Sequence, residues 1–371
     1  MKILVTGGAG FIGCHVVEGC LERGHSVRVL DGLLPQVHGE CPQRPSYLDP
    51  RAELVVGRVE DLTVVRQALA GVDSVMHLAS AVGVGQSMYR IAEYCTANVL
   101  GTATLLQAIV DSKCPLKSLV VASSMSVYGE GQYRAPDGRL VNPKLRCDAQ
   151  LAAADWELRD ADGKLLEPVP TDEEMPMRPT SVYAINKRDQ EELCLRVGTA
   201  YGIPTTALRF FNVYGSRQAL SNPYTGVAAI FCARLLNDRP PLIFEDGLQK
   251  RDFVHVRDVA RAVMAAAEAP VPGEAINIGS GQSLSVLEIA ETLARTMKKC
   301  IQPCIVGKYR QGDIRHCFAD ISKARRLLGW EPSIPFQEGV PELVAWVQSQ
   351  QEARDGVESA WAELQQRGLL A

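Results

Sequence analysis

The sequence has little of several features that mark particular classes of protein. Its 371 residues carry a net charge of only −4, and no block of Lys or Arg supplies the positive surface that nucleic-acid binding requires. Apolar runs extend over a few residues, well short of the roughly 20 that a membrane span needs. Met1 leads directly into the strand-like Lys2-Ile3-Leu4-Val5. We therefore expect no signal peptide, no membrane segment and a cytoplasmic location.

The sequence also lacks the paired cysteine spacing of a zinc site. Cys300 and Cys304 are close in sequence, but no second ligand pair accompanies them. Several of the eleven cysteines stand among apolar neighbours, which is typical of reduced, buried thiols in intracellular proteins. We therefore expect neither disulfides nor a bound metal.

The first half of the chain alternates short apolar strands with amphipathic helices, and a further helix and strand follow it. Hydrophobic residues make up 46% of the chain and charged residues 22%, which suits one large or two coupled domains. Strand patterns occur at 2–6, 26–31, 54–57, 74–77, 118–123 and 205–210. Helical patterns occur at 11–23, 62–70, 93–112 and 181–201. This rhythm predicts an α/β fold built on a doubly wound parallel sheet.

The pattern changes after Gly215, where short strands and irregular loops alternate with helices. We predict a first domain over 1–180, to which 181–215 and 252–270 return, and a smaller α/β lobe over 216–350. A C-terminal helix is expected within 351–371. Strand signals in the lobe lie at 242–244, 253–255 and 275–278, with a hairpin turn at Asp246-Gly247. The polar segment 130–177 is an insertion, either a surface flap or partner contact, which we favour, or an active-site lid.

A glycine-rich turn follows the first strand. Gly7, Gly10 and Gly13 fall where a strand passes into a helix, so that a dinucleotide pyrophosphate can approach the backbone closely. Asp31 ends the second strand, eighteen residues beyond Gly13. A carboxylate there accepts hydrogen bonds from ribose hydroxyls and repels a 2′-phosphate. This spacing predicts a Rossmann-type site for NAD rather than NADP.

Tyr183 and Lys187 stand four residues apart on a predicted helix and therefore share one face. A tyrosine with its usual pKa of about 10 is a poor base at neutral pH, but neighbouring positive charge stabilises the phenolate. Ser124 ends a preceding strand at the carboxyl edge of the sheet, where substrates bind in open sheets. These three residues predict an acid/base site.

With these motifs the chain resembles the extended short-chain dehydrogenases/reductases, and within them the nucleotide-sugar 4-epimerases, over residues 1 to about 345. The resemblance implies that Ser124, Tyr183 and Lys187 are catalytic. Met125 and Ser126 replace the Asp-Glu pair of the sugar-nucleotide 4,6-dehydratases, which argues against dehydration. The residues that the resemblance and the glycine motif assign to NAD are Gly7, Gly10, Phe11, Ile12, Gly13, Asp31, Leu78, Ala79, Asn98, Tyr183 and Lys187.

The resemblance also implies a set of substrate ligands. Asn212, Arg251 and Arg315 are expected at the diphosphate, and Phe244 is expected to pack on the base, although a core role for Phe244 is an equal alternative. The complete predicted set is Gln86, Ser87, Ser126, Asn212, Arg217, Phe244, Arg251 and Arg315.

The nucleotide-sugar 4-epimerases include the UDP-galactose 4-epimerases. Within this group two loops, 83–89 and 216–224, together with the insertion, resemble those of the nucleotide-linked rhamnose 4-epimerases. The predicted reaction is inversion of carbon 4 through a 4-keto sugar, with conversion of dTDP-L-rhamnose to dTDP-6-deoxy-L-talose the specific expectation. Alternatives are a nucleotide-4-keto-sugar reductase, a UDP-hexose 4-epimerase and a non-catalytic NAD sensor.

The family also implies a homodimer formed through the helices predicted at 93–112 and 181–201. Two positions depart from the family pattern. Arg58 stands where many relatives have an adenine-contacting Asp, so Glu60 or Asp61 is a candidate replacement. Cys147 stands alone where some relatives carry a CxxC pair, which again predicts no zinc.

Overall fold

The computed structural model describes residues 1–39, 43–113, 115–219, 226–310, 312–350 and 357–369. The strands are β1 (Lys2–Thr6), β2 (Ser26–Asp31), β3 (Glu53–Val56), β4 (Ser74–His77), β5 (Ser118–Ser124), β6 (Tyr133–Arg134), β7 (Leu140–Val141), β8 (Glu167–Pro168), β9 (Thr205–Phe210), β10 (Asn212–Tyr214), β11 (Leu242–Ile243), β12 (Lys250–Arg251), β13 (Phe253–His255), β14 (Glu274–Ile278), β15 (Leu284–Ser285), β16 (Cys304–Ile305) and β17 (His316–Cys317).

The helices follow the same chain order. They are α1 (Phe11–Glu22), α2 (Pro35–His38), α3 (Leu62–Leu69), α4 (Val84–Ser87), α5 (Ile91–Cys95), α6 (Gly101–Ser112), α7 (Asp148–Ala152), α8 (Val182–Tyr201), α9 (Val227–Leu236), α10 (Val256–Glu268), α11 (Val286–Thr296), α12 (Ser322–Leu328), α13 (Phe336–Ser349) and α14 (Val357–Gln366). No helix in the described ranges is both long and apolar enough to cross a membrane.

Seven strands form one parallel sheet in the order β14-β9-β5-β4-β1-β2-β3. The predicted doubly wound α/β fold is therefore confirmed. The strand order reverses between the neighbouring strands β1 and β4: β2 and β3 extend the sheet beyond β1, and β5, β9 and β14 extend it beyond β4. In sheets of this kind the crevice outside the carboxyl ends at the reversal is where ligands bind.

The two faces of the sheet pack on different helix layers because successive side chains of a strand point in opposite directions. Ile3 and Val5 of β1 lie in one core with residues of α1 and α10. Leu4 lies in the other core with residues of α3, α6 and α8. Since both faces are covered, the strands read as continuous apolar runs in the sequence.

Two sequence predictions about these elements were wrong. Residues 275–278 belong to β14 at the edge of the main sheet, because α10 packs on α1 and returns the chain there. The predicted hairpin is absent: β11 pairs with β16, and β12 pairs with β15 and β17. The flanking backbone is used elsewhere, since the Glu245 amide donates to the Lys308 carbonyl at 2.9 Å. The helix predicted at 93–112 is confirmed: α5, the π-helical segment Thr96–Leu100 and α6 follow one another without a break.

The insertion forms a small three-stranded sheet, β7-β6-β8, with α7 beside it. It packs against the smaller lobe through a buried group of charged residues. Arg146 of the insertion forms an ion pair with Glu245 at 2.9 Å, and Glu157 pairs with Arg315 at 2.5 Å. The insertion is thus attached to the lobe rather than free in solvent.

Candidate active site

A cavity of about 670 Å³ opens at the carboxyl edge of the sheet, at the reversal of strand order. One end is lined by the glycine-rich turn and the other by the smaller lobe and α14. No residue of the insertion, all of which is described, lines it. The alternative of the insertion as a lid therefore has no support in the placement of its residues.

The glycine-rich turn can accommodate no larger side chain at two of its positions. Gly7 has φ +70°, and a Cβ there would lie 2.8 Å from the Ala79 nitrogen. A Cβ on Gly13 would lie 2.1 Å from the Gly7 carbonyl oxygen. Gly10 precedes α1, whose first residues, Phe11 and Ile12, also line the cavity. Backbone and a helix N-terminus thus face the space, as a pyrophosphate group requires.

Asp31 lies at the end of β2 and lines the same end of the cavity. Its carboxylate accepts hydrogen bonds from the backbone nitrogens of Ala9, at 3.0 Å, and Leu33, at 2.9 Å. A carboxylate has about four acceptor positions, so capacity remains for ribose hydroxyls. The free acceptor positions of Asp31 and the exposed backbone of the glycine-rich turn therefore fit NAD.

Of the residues near the expected adenine position, some line the cavity and one caps a helix. Arg58 and Glu60 line the cavity and form an ion pair with each other. The Asp61 carboxylate instead caps α3, accepting from the nitrogens of Thr63 at 2.9 Å and Val64 at 3.2 Å. Of the two candidate replacements for the missing Asp, Glu60 is the one at the cavity.

The three predicted catalytic residues line the middle of the cavity. Tyr183 and Lys187 lie in the first turns of α8. Ser181 caps the start of this helix, because its hydroxyl accepts from the Ala184 nitrogen at 3.1 Å. Ser124 ends β5, and its hydroxyl lies close enough to the Tyr183 phenol to lower the pKa of Tyr183. The structure therefore brings together, in one place, residues that are about sixty positions apart in sequence.

Two buried tethers fix α8 against the end of β5. Lys187 Nζ donates to the Ala122 carbonyl at 2.9 Å. One turn later, the Glu191 carboxylate accepts from the Ser123 hydroxyl at 2.6 Å. Because these bonds hold the two residues that directly precede Ser124, they restrain the position of its hydroxyl relative to Tyr183.

Burial shifts the pKa values of the two ionisable residues in opposite directions. Desolvation raises the pKa of Tyr183 to about 12, although the hydrogen bond with Ser124 lowers it. Desolvation lowers the pKa of Lys187 to about 7. The phenol is therefore held protonated, and a cationic group placed beside it would favour its ionised form. A cationic ligand ring at this position would therefore help Tyr183 to act as a base.

Four of the predicted substrate residues line the cavity: Ser126, whose hydroxyl donates to Ser124 Oγ at 2.9 Å, and Asn212, Phe244 and Arg251. Asn212 Oδ1 is buried and has no hydrogen-bond partner within the described part of the chain. Arg251 donates to three backbone carbonyls, those of Lys250, Ile314 and Arg315, which leaves two of its five donors. Polar groups that lack partners in a cavity indicate a ligand site.

Four predicted substrate residues and one cofactor residue do not line the cavity. Ser87 and Gln86 lie beneath it: Ser87 Oγ accepts from the Tyr183 nitrogen at 3.0 Å, and Gln86 accepts from the Tyr94 hydroxyl at 3.0 Å. Asn98 is buried and accepts from the Ala81 nitrogen at 2.7 Å. These residues support the loops that form the cavity wall.

The two arginines in this group are already paired. Arg217 forms an ion pair with Glu18 at 3.0 Å. Residues 220–224 of its predicted loop lie outside the described residues, whereas Gln218 and Ala219 line the cavity. Arg315 is fully buried, and all five of its donors meet the carboxylates of Glu157, Glu245 and Asp246. The structure therefore places Arg315 in a buried ion cluster rather than at a phosphate, because carboxylates surround its guanidinium.

The cavity also contains residues that the sequence reasoning missed. Arg310, five positions before Arg315, lines the cavity with its guanidinium carbon 4.9 Å from the centre of the Phe244 ring. Gln249 and Trp361 line the same end. Residue type alone does not separate Arg310 from Arg315, since only burial distinguishes them. Trp361 had no sequence signal, as it lies more than a hundred residues from Phe244.

Comparison with known proteins matches the chain to the NAD-dependent epimerase/dehydratase family model over residues 3–279. It is 39% identical over 350 residues to a dTDP-L-rhamnose 4-epimerase of Burkholderia thailandensis, covering 93% of this chain and 94% of the relative. It is 32% identical to a putative UDP-glucose 4-epimerase of Methanocaldococcus jannaschii, covering 94% of this chain and 98% of the relative.

A solved structure, UDP-glucose 4-epimerase with UDP-glucose from Thermotoga maritima, superposes with a TM-score of 0.77 at 31% identity, covering 95% of this chain and all of the other. A UDP-glucuronic acid 4-epimerase from Bacillus cereus, in complex with UDP-glucuronic acid and NAD, gives a TM-score of 0.76 at 28% identity, covering 94% and 99% of the two chains. The chain therefore belongs to the NAD-dependent epimerase/dehydratase family of enzymes.

Proposed function

We propose that this protein is a nucleotide-sugar 4-epimerase that retains NAD, and that its substrate is dTDP-L-rhamnose. The observation that carries the proposal is the meeting of Ser124, Tyr183 and Lys187 at the middle of a cavity whose one end suits a dinucleotide and whose other end has unpartnered polar groups. The 39% identity to a dTDP-L-rhamnose 4-epimerase over nearly the full length of both chains supports the choice of sugar.

In the proposed reaction Tyr183 exchanges a proton with the 4-hydroxyl of the sugar. When NAD is bound, it supplies an acceptor and then a donor of hydride at carbon 4. Ser124 hydrogen-bonds the same sugar oxygen, and Lys187 adds positive charge near the phenol. The 4-keto sugar then rotates in the site and presents its opposite face. Tyr183 returns the proton, and the configuration at carbon 4 is inverted with no net redox change.

The residues that line the two ends of the cavity take the remaining roles. Gly7, Gly10, Gly13 and Asp31 hold the dinucleotide, together with the neighbouring backbone of Phe11, Ile12, Leu78 and Ala79. At the other end, Asn212 and Arg251 contact the diphosphate, Phe244 packs on the base, and Ser126 faces the sugar. Arg310 is a further candidate for the diphosphate, because a guanidinium matches phosphate oxygens geometrically.

The direct test is to incubate purified protein with dTDP-L-rhamnose, without added cofactor, and to follow the sugar protons by NMR. An equilibrium mixture containing dTDP-6-deoxy-L-talose is the expected result. No change, even after NAD⁺ is added, would refute this substrate. UDP-glucose and UDP-galactose, supplied in parallel, test the alternative of a UDP-hexose 4-epimerase.

The reductase alternative differs in stoichiometry. A nucleotide-4-keto-sugar reductase consumes one reduced nicotinamide per turnover, whereas an epimerase consumes none. Stoichiometric loss of absorbance at 340 nm with a dTDP-4-keto sugar, together with no epimerisation, would favour the reductase. An NAD sensor would show neither reaction, and its Tyr183→Phe variant would behave like the unchanged protein in every sugar assay.

We also propose that the protein forms a homodimer. Large apolar side chains on the segments expected at the interface are exposed: Leu100 is 52% exposed and Ile185 39%. Burial of such side chains against a second copy would be favourable. Light scattering after size-exclusion chromatography should give about twice the chain mass, and Leu100→Glu should shift it toward the monomer. A monomeric mass for the unchanged protein would refute the proposal.

A further inference from the structure

An aromatic corner closes the end of the cavity that lies farthest from the glycine-rich turn. The rings of Phe244 and Trp361 are 4.9 Å apart between centroids and inclined by 37°. Both line the cavity, as do the apolar side chains of Leu364 and Leu369. Phe244 comes from the lobe and the other three from the C-terminal region, so this wall is assembled from distant parts of the chain.

Polar contacts hold α14 in place over the cavity. The Tyr89 hydroxyl donates to the Glu363 carboxylate at 2.8 Å, and the Arg367 guanidinium lies 4.2 Å from the centre of the Tyr89 ring. Arg239 forms an ion pair with Glu358 at 3.3 Å. These contacts connect α14 with both the sheet domain and the lobe, so Trp361 has a defined place in the wall.

Gln249 supplies a polar group at the same corner. Its Nε2 donates to the Phe244 carbonyl at 2.8 Å, and this bond fixes which end of the amide is which. The Gln249 side chain is nearly buried, with the residue 6% exposed, and its Oε1 has no hydrogen-bond partner in the parts of the chain that the structure describes. A buried acceptor without a donor is costly, and a bound ligand that carries an N–H group would satisfy it.

We propose that Trp361 and Gln249 complete a nucleobase subsite with Phe244, and that this subsite selects uracil or thymine. Trp361 packs on the base, and Gln249 Oε1 accepts the N–H at position 3 of the ring. Cytosine has an unprotonated nitrogen at that position, which cannot donate to this oxygen. The proposal rests on the proposed function only in that the substrate is a nucleotide sugar.

The test is calorimetric binding of three free nucleotides, dTDP, UDP and CDP, to the full-length protein carrying its NAD. Trp361→Ala removes ring packing, and Gln249→Leu removes the acceptor. Gln365→Ala is the matched control, because Gln365 is an exposed residue of the same helix. NAD content and melting temperature, measured for every variant, report whether the sheet domain remains intact.

The two variants should have different signatures. Stacking of a base on an aromatic side chain contributes enough that Trp361→Ala should weaken dTDP, UDP and CDP alike, by about tenfold. Trp361→Phe should restore most of this affinity. Gln249→Leu should weaken dTDP and UDP but not CDP, so that the preference of the unchanged protein for dTDP over CDP disappears. Gln365→Ala should bind like the unchanged protein.

Two results would overturn the inference: equal binding of CDP and dTDP by the unchanged protein, or dTDP affinity in Trp361→Ala equal to that of the Gln365→Ala control. Failure of the proposed reaction is a separate outcome, since binding of free nucleotides requires no turnover. If the protein binds dTDP through Trp361 yet epimerises no sugar, the nucleobase subsite is supported and only the proposed function is refuted.

Discussion

Replacement of Glu245 by glutamine removes the central carboxylate of the buried cluster between the insertion and the lobe. Glu245 accepts from Arg146 through both oxygens at 2.9 Å and from Arg315 at 2.9 Å. All three side chains are at most 2% exposed. Because the two guanidinium groups would remain buried with less opposing charge, we expect a loss of about 3–5 kcal/mol in the free energy of unfolding.

The expected loss can be measured as a shift in melting temperature. Unfolding entropy near the midpoint is about 2 cal/mol/K per residue, so a loss of about 4 kcal/mol in a chain of this length lowers the melting temperature by about 5 °C. The matched control is Arg134→Gln, also in the insertion, whose ion pair with Glu167 has side chains 51% and 69% exposed. That variant should melt like the unchanged protein, since exposed pairs contribute little.

A second measurement separates this explanation from a general loss of packing. Removal of both charges, in Glu245→Leu with Arg146→Leu, should cost less than Glu245→Gln alone, because apolar replacement of a buried pair leaves fewer uncompensated charges. The KM for the nucleotide sugar should rise in Glu245→Gln, since Phe244 precedes Glu245 at the cavity wall. A melting temperature within 1 °C of the control would refute the reasoning.

Three further predictions concern the site and its support. Tyr183→Phe should lower turnover roughly 10²- to 10⁴-fold while NAD stays bound, because the proton acceptor is lost; turnover within tenfold, measured by NMR, would contradict this. Gly13→Ala should abolish NAD retention, measured as nucleotide released on denaturation, because its Cβ would lie 2.1 Å from the Gly7 oxygen. Burial, with a smaller effect of Lys187, lowers the pKa of His77 from 6.5 to about 3. The unfolded chain therefore binds the extra proton between these pH values, and stability should fall as pH drops below 6.5, by about 2 kcal/mol at pH 5; His77→Gln should show a smaller decrease in chemical denaturation.

Local patterns in the sequence were enough to predict the parallel sheet, the family and its NAD dependence. Gly7 and Gly13 lie in one turn, and Tyr183 and Lys187 lie on one helix face. Their spacing in the sequence was therefore enough to predict the cofactor turn and the acid/base pair. Ser124 could be added because the carboxyl ends of parallel strands meet at one edge. The family resemblance, the fold class, the enzyme class and the cofactor are all confirmed by the comparisons.

Long-range contacts were the part that sequence reasoning could not supply. Arg310 and Arg315 are five residues apart and chemically identical, yet one faces the cavity and the other is enclosed by carboxylates from two distant segments. The pairing of β14 with the main sheet likewise depends on where α10 packs, which no local pattern reports.

The sequence by itself thus determined which chemistry this protein carries, since the cofactor turn and the acid/base pair each lie within a few consecutive residues. Only the tertiary structure decided which side chains surround the substrate. Trp361, Gln249 and Phe244 meet because separate elements pack together, and burial and pairing follow from that packing rather than from residue type.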